Sequence, residues 1–418
     1  MSKPDTSRGL ATTCTLEQVR NAVTVHLDAL WQSPERARTL PPTMLWGPPG
    51  IGKSALVRQI CEERGIGFVD IRLAQREPVD VRGLPVPVDG VVQWLLPAEY
   101  PRDPNSRGIM LFDELTAADR TLQVAAYELI LDRRLGDLYQ VPPGWYVMAA
   151  GNRTGDRAVA TTMSSALANR FCHLEVRPDL NGWVRWAQQE GVHPDVVAFL
   201  RFQPMLMLDM SGHLERGWPS PRAWERVGLE TELADRLGPD TFRNVVCGLV
   251  GAGAGLQYVA FREWHQAVPD IAKMLAGKVP IVVPERADQR YALCCSVAWH
   301  LWKAPNQPAA FDALFTLLER LPADFSAMLA VDCMNAGKPK DVARFVMDPR
   351  FAAWGSRSGP TFVARFHREA SNIARKAVAG RLPADLPLAA DLLQGAVTAA
   401  DLMGEDPLAA PLLPGGEG

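Results

Sequence analysis

The sequence predicts an α/β chain: a three-layer, doubly wound parallel sheet over residues 14–178, an α-helical lid over 179–265 and further C-terminal helices over 266–403. Three observations predict it. Short apolar runs alternate with stretches of helical periodicity as far as residue 178, the pattern of repeated βα units. From residue 179 only helical periodicity remains. Between the first apolar run and the helix after it lies Gly47-Pro48-Pro49-Gly50-Ile51-Gly52-Lys53-Ser54, which fits G-x-x-x-x-G-K-[ST].

Residues 1–13 read as a disordered lead. Thr15 to Trp31 then carries Leu16, Val19, Val23, Leu27 and Leu30 at helical spacing, with Thr15 and Glu17 suited to its start. Thr43-Met44-Leu45-Trp46 is a short apolar strand. In the helix that follows, Leu56 pairs with Ile60 and Val57 with Cys61, and Gly65 is suited to end it. Phe68 to Leu73 alternates as a strand does. Val86 to Val92 turns at Asp89-Gly90 between β-branched residues, a hairpin signal. Gly108 to Phe112 and Trp145 to Ala150 are continuous apolar runs, as in parallel strands buried on both faces, and Phe171 to Val176 is a shorter one.

Beyond residue 179, helices are expected at Asn181–Glu190, Pro194–Arg201, Pro221–Leu237, Asp288–Trp302, Ala309–Leu321, Pro339–Met347 and Phe362–Ala379. Residues 404–418, rich in Pro and Gly, read as a flexible tail. Val245 to Phe261 is apolar apart from Gln257, but shorter than the roughly 20 residues of a spanning helix. Gly251, Gly253 and Gly255 interrupt it, so a buried helix pair is expected and no membrane. Met205, Met207 and Met210 are expected in irregular core packing rather than on an adaptable binding surface.

Composition is that of an ordinary globular chain: 418 residues, 47% hydrophobic and 22% charged. A net charge of -3 gives no overall attraction to nucleic acid, so a nucleic-acid partner is not expected. The seven cysteines include no C-x-x-C pair and read as reduced core residues of a cytoplasmic protein, adjacent Cys294 and Cys295 among them. The seven histidines are scattered, so no structural metal is expected. The first residues are polar and lack the apolar core of a signal peptide.

The chemistry centres on the glycine loop. A strand, glycine loop and helix in that order let backbone N–H groups and a helix N-terminus surround a polyphosphate. Gly47, Pro48, Pro49, Gly50, Ile51, Gly52, Lys53, Ser54 and Ala55 form this site. Lys53 would reach the β- and γ-phosphates, and the Ser54 hydroxyl would take one position on Mg²⁺. The chain is therefore expected to bind a nucleoside triphosphate, ATP, with Mg²⁺. Ile109 to Phe112 ends in Asp113 and Glu114, and ligands of open α/β sheets bind beyond the carboxyl ends of the strands. Asp113 is suited to hold Mg²⁺ and Glu114 to polarise an attacking water. Asn152 ends the next apolar strand, where its amide would orient that water. The bland alternatives are a strand that happens to end in acids and an ordinary Gly-Asn turn.

These residues resemble the AAA+ ATPases, members of the P-loop NTPase fold, and more closely their MoxR-like, helix-2-insert branch. The resemblance spans roughly residues 15–235. It rests on the phosphate loop, the Walker B strand Ile109 to Glu114 and sensor 1 at Asn152. Ser164 to Phe171 resembles the corner that carries the arginine finger, and Ser220 to Trp224 the sensor 2 motif. The hairpin at 86–92 resembles the branch's insert, and Arg133 to Pro143 its pre-sensor hairpin. Gly151-Asn152-Arg153 departs from the more usual Gln-Asn-Pro.

The resemblance implies that Arg170 acts in trans on a neighbour's γ-phosphate, with Arg157 as a competing candidate, and that Arg222 acts in cis from the lid. It implies a homo-oligomeric ring, a hexamer, that hydrolyses ATP to remodel or mature a protein client with a von Willebrand factor A domain partner. Two other readings stay open: the motor subunit of a magnesium- or cobalt-chelatase-like complex, and a nucleotide-gated scaffold or defence switch with little turnover.

Overall fold

In the computed structural model the six-stranded sheet has the order β1-β10-β2-β9-β6-β3, and every neighbouring pair is parallel. The structure describes residues 13–156, 163, 165–212, 214, 216–265 and 270–357. The expected lead as far as residue 12, the helix at Phe362–Ala379 and the tail lie outside them, as do Arg157 and Ser164. The chain divides into two compact units. The first runs to Val184 and includes Gln203–Val259; the second takes Arg185–Phe202 and resumes at Ala260.

In the first unit, β1 (Thr13–Cys14) precedes α1 (Leu16–Gln32), β2 (Thr43–Trp46), α2 (Lys53–Arg64) and β3 (Gly67–Arg72). Then come α3 (Pro78–Arg82), the antiparallel hairpin β4 (Leu84–Val88) and β5 (Val91–Leu95), β6 (Gly108–Asp113) and α4 (Arg120–Leu131). A second hairpin, β7 (Arg134–Leu135) and β8 (Tyr139–Gln140), leads into β9 (Trp145–Gly151), α5 (Ser165–Ala168) and β10 (Cys172–Val176). Thr13, read as part of the lead, pairs with Glu175 at the sheet edge; a two-residue strand leaves no alternation to detect.

Alternation along the central strands builds three layers. Ile109 and Leu111 of β6, with Tyr146, Met148 and Ala150 of β9, pack with α1 and α2. Met110 and Phe112, with Trp145, Val147 and Ala149, pack on the other face with α4. Thr15 caps α1 in a capping box with Gln18, and Gly65 ends α2 in a left-handed conformation (φ 62°). At the second hairpin, buried Arg133 donates to the carbonyls of Pro142 (3.0 Å) and Trp145 (2.7 Å), tying the hairpin to the start of β9.

Helices alone follow: α6 (Leu180–Glu190), α7 (Pro194–Phe202), α8 (Pro221–Glu232), α9 (Ala234–Leu237) and α10 (Pro239–His265). The expected single helix over Pro221–Leu237 is broken at Leu233. The segment Val245–Phe261 is a helix pair joined at a glycine, as expected, but it is not buried all round. It belongs to α10, which bends at Gly251 (φ 80°, ψ 154°) and buries one stripe, Phe242, Val246, Val250, Ala254 and Tyr258, while Leu256 is exposed. Pro239–Glu263 is long and apolar enough to cross a membrane by length and composition. Its stripe is nonetheless part of the packing: Tyr258 meets Trp224 edge-on at 5.8 Å and bonds Thr231 Oγ1 at 2.8 Å. Met207 is buried as expected of core packing, but Met205 is 82% exposed.

The second unit adds α11 (Ile271–Leu275), α12 (Ala287–Leu301), α13 (Gln307–Arg320), α14 (Ala323–Ala336) and α15 (Pro339–Val346) around one apolar cluster. The sequence reading missed α14 because it is buried almost all round, so no polar face marks a period. Within this unit Asp332 is fully buried against Arg201, whose Nη2 lies 2.6 Å from Oδ1. Cys294 and Cys295 are buried, as expected, in α12.

Candidate functional site

The carboxyl ends of β2, β9 and β6 lie side by side, since Trp46 pairs with Gly151 and Phe112 with Ala149. The glycine loop leaves β2 there and enters α2. Gly47 (φ 152°) has no room for a Cβ, which would sit 2.8 Å from Val176 O, and Gly52 (φ 102°) begins α2 in a conformation that L side chains avoid. The loop is thereby folded so that the N-terminus of α2 faces the strand ends.

Lys53 is buried and turned back on the loop. Its Nζ donates to Gly47 O at 2.6 Å and Pro48 O at 2.9 Å, and lies 3.4 Å from Asn152 Oδ1. Burial lowers its pKa to about 8, against the opposing pull of Asp113 and Asp156. Ser54 Oγ donates to Asp113 Oδ2 at 2.5 Å. Glu114 adopts a left-handed backbone (φ 56°), uncommon for a non-glycine residue. Its half-buried carboxylate has no hydrogen bond among the described residues. The turn sends the Leu115 N–H to Ala150 O on the neighbouring strand, which holds Glu114 at the carboxyl end of β6.

Asn152 is held by a reciprocal pair: its N–H donates to Thr116 Oγ1 at 3.0 Å, and that hydroxyl donates to Asn152 O at 3.1 Å. Its side chain is thus left for Lys53. Arg222, in the first turn of α8, donates its backbone N–H to Gly50 O at 3.2 Å, while Ser220 caps the helix. The Arg222 guanidinium is exposed and bonds no described residue. Lys53, Ser54, Asp113, Glu114, Asn152 and the Arg222 backbone therefore converge on one place.

Arg170 stands apart. It follows α5, exposed, and its guanidinium has no hydrogen bond or ion pair among the described residues. Sequence reasoning missed a second layer around the loop. Arg153 is bonded to Asp156 (2.8 Å) and to Glu175 (3.3 Å), tying the segment after Asn152 to β10. The departure Gly-Asn-Arg was the one sequence signal for it. Thr116, a buried hydroxyl inside an apolar stretch, gave none.

Comparison with known proteins gives remote likenesses. Residues from 72% of this chain superpose on 88% of a Thermotoga maritima RuvB K64R mutant, at 16% identity and a TM-score of 0.34. NtrX from Brucella abortus matches over 83% of this chain and 67% of its own, at 17% identity and a TM-score of 0.30. No curated protein matches the chain. The stretch that holds the glycine loop, Asp113 and Glu114, residues 43–126, matches the family model described as ATPase family associated with various cellular activities (AAA).

Proposed function

We propose that the chain is an ATP hydrolase of the MoxR-like AAA+ kind, working as a hexameric ring to remodel or mature a protein client alongside a von Willebrand factor A domain partner. The observation that carries the hydrolase reading is the convergence of Lys53, Ser54, Asp113, Glu114 and Asn152 at the ends of β2, β6 and β9. On ATP binding, the Lys53 ammonium exchanges the loop carbonyls for β- and γ-phosphate oxygens. The Ser54 hydroxyl and Asp113 carboxylate, hydrogen-bonded to each other, are hard oxygen donors of the kind Mg²⁺ takes and would hold that ion beside the phosphates. Bound there, the ion supplies positive charge against that developing on the phosphoryl oxygens.

Glu114 takes the proton from a water as its oxygen bonds the γ-phosphorus, and the bond to the bridging oxygen breaks to leave ADP and phosphate. The Asn152 amide orients that water. Arg170, exposed and unpaired among the described residues, would meet the γ-phosphate of a neighbouring copy, which makes assembly a condition of turnover. The MoxR-like assignment draws on the hairpins β4–β5 and β7–β8 within the core, and the partner and client follow from that resemblance. The test is the solution mass of Glu114→Gln by light scattering, with and without Mg-ATP. An ATP-dependent species near six subunits is expected; an ATP-bound monomer would sink the ring reading.

A further inference from the structure

A side-chain relay joins the mouth of the glycine loop to the corner that carries Arg170. Trp46 is the last residue before Gly47, and its Nε1 lies 2.8 Å from His173 Nδ1 on the adjacent strand. His173 Nε2 lies 2.7 Å from Ala168 O, at the end of α5. An indole N–H only donates and a carbonyl only accepts. His173 must therefore accept at Nδ1 and donate from Nε2, so both bonds exist together only in the neutral Nε2–H tautomer. The two rings stack with centroids 5.9 Å apart and planes 22° from parallel.

The far end of the relay is a fixed corner. Ala168 O also takes the Phe171 N–H at 3.3 Å, Cys172 N–H donates to Pro42 O at 2.9 Å, and the Phe171 ring contacts His173 at 6.0 Å. Leu167 and Phe171 are buried on either side of the turn. Arg170 thus has a pinned base and a tip with no hydrogen bond or ion pair among the described residues. Core packing does not explain the relay, because His173 is exposed and Trp46 only half-buried. At the near end, any shift of the loop that accompanies phosphate binding moves the backbone to which Trp46 is directly joined.

We propose that Trp46 and His173 are positioning residues that set the placement of Arg170 by the state of the same subunit's glycine loop. Nucleotide bound in one subunit then tunes how well that subunit's arginine serves the next. This inference rests on the trans role of Arg170 given above.

The test uses His173→Phe, which keeps an aromatic ring and loses both bonds, and Trp46→Phe, which keeps an aromatic ring and loses the N–H together with the fused ring that carries it. Each variant is expected to bind Mg-ATP as the parent does and to lose turnover about tenfold, less than the roughly hundredfold that an ångström of misplacement can cost. Mixing either with Glu114→Gln should restore part of the turnover, because Glu114→Gln subunits hold ATP without turning it over and offer an intact relay and arginine to the variant's own loop. Unchanged turnover in both variants, or a loss that mixing leaves in place, would overturn the relay. Arg170→Ala mixed with Glu114→Gln is the control. Recovery there without recovery of the relay variants removes the relay alone; no recovery in the control removes the trans reading and the relay with it.

Discussion

Ser54 Oγ donates to Asp113 Oδ2 across 2.5 Å, joining the first turn of α2 to the last residue of β6. Both oxygens are hard donors, and a divalent cation entering between them would take the place of the shared proton. Asp113→Asn should weaken the Mg²⁺-dependence of ATP binding by at least the roughly tenfold that loss of an outer partner costs a metal site. ATP titrations with Mg²⁺ and with a chelator check this. Equal Mg²⁺ dependence in parent and variant would show that Asp113 holds no ion.

Lys53 gives a pH signature. Its ammonium has a pKa of about 8 in the nucleotide-free protein, because burial disfavours the charge. Bound phosphates favour the charged form, so binding raises that pKa and draws protons from solution near and above pH 8. Well below pH 8 the amine is already protonated and no uptake follows. Calorimetry in buffers of different ionisation enthalpy should show proton uptake at pH 8.5 that fades by about pH 6.5 and is absent in Lys53→Ala, which should also bind ATP poorly.

Arg170 has no hydrogen bond or ion pair among the described residues, so Arg170→Ala should fold with unchanged stability and bind ATP normally. Its turnover should fall about 10³-fold, the lower figure for loss of a trans arginine. Thermal unfolding and steady-state phosphate release separate the two effects. A destabilised Arg170→Ala would mean the side chain is structural.

Gly108 begins β6 between β3 and β9. A Cβ there would sit 2.5 Å from Gly67 O and 2.6 Å from the Trp145 ring. Gly108→Ala should therefore cost about 1–3 kcal/mol through overpacking, read as a lowered denaturant midpoint.

In the helical second unit, Arg201→Met leaves the Asp332 carboxylate buried and unpaired, since Asp332 has no exposed surface. The loss should be about 3–5 kcal/mol, while Arg201→Met with Asp332→Leu should recover most of it. Chemical denaturation of the single and double variants checks the coupling.

The residues explain what could be read in advance. The loop was legible because Gly47, Gly52, Lys53 and Ser54 do their work within a few residues of one another. Asp113 and Asn152 were legible because each ends an unbroken apolar run, so the strand itself marks the spot. Thr116, Arg153, Glu175 and His173 were not. Each works through a partner 22 to 127 positions away, and no local pattern registers a contact at that separation. The helices failed in the same way: α14 shows no period because it is buried on most sides, and Met205 looked like core because a methionine carries no mark of which way it faces.

The β4–β5 hairpin shows Leu84, Val91, Val92, Trp94 and Leu95 to water, a surface that invites self-adhesion. Pro85 and Pro87 stand opposite Trp94 and Val92. Lacking N–H groups, they occupy the positions of β4 that face away from β5, so that outer edge offers carbonyls and no donors at those two sites. Copies of the hairpin crowded together cannot join β4 to β5 of the next in an endless sheet. The chain can therefore keep an apolar hairpin in the open while denying neighbouring molecules a complete template along which to zip.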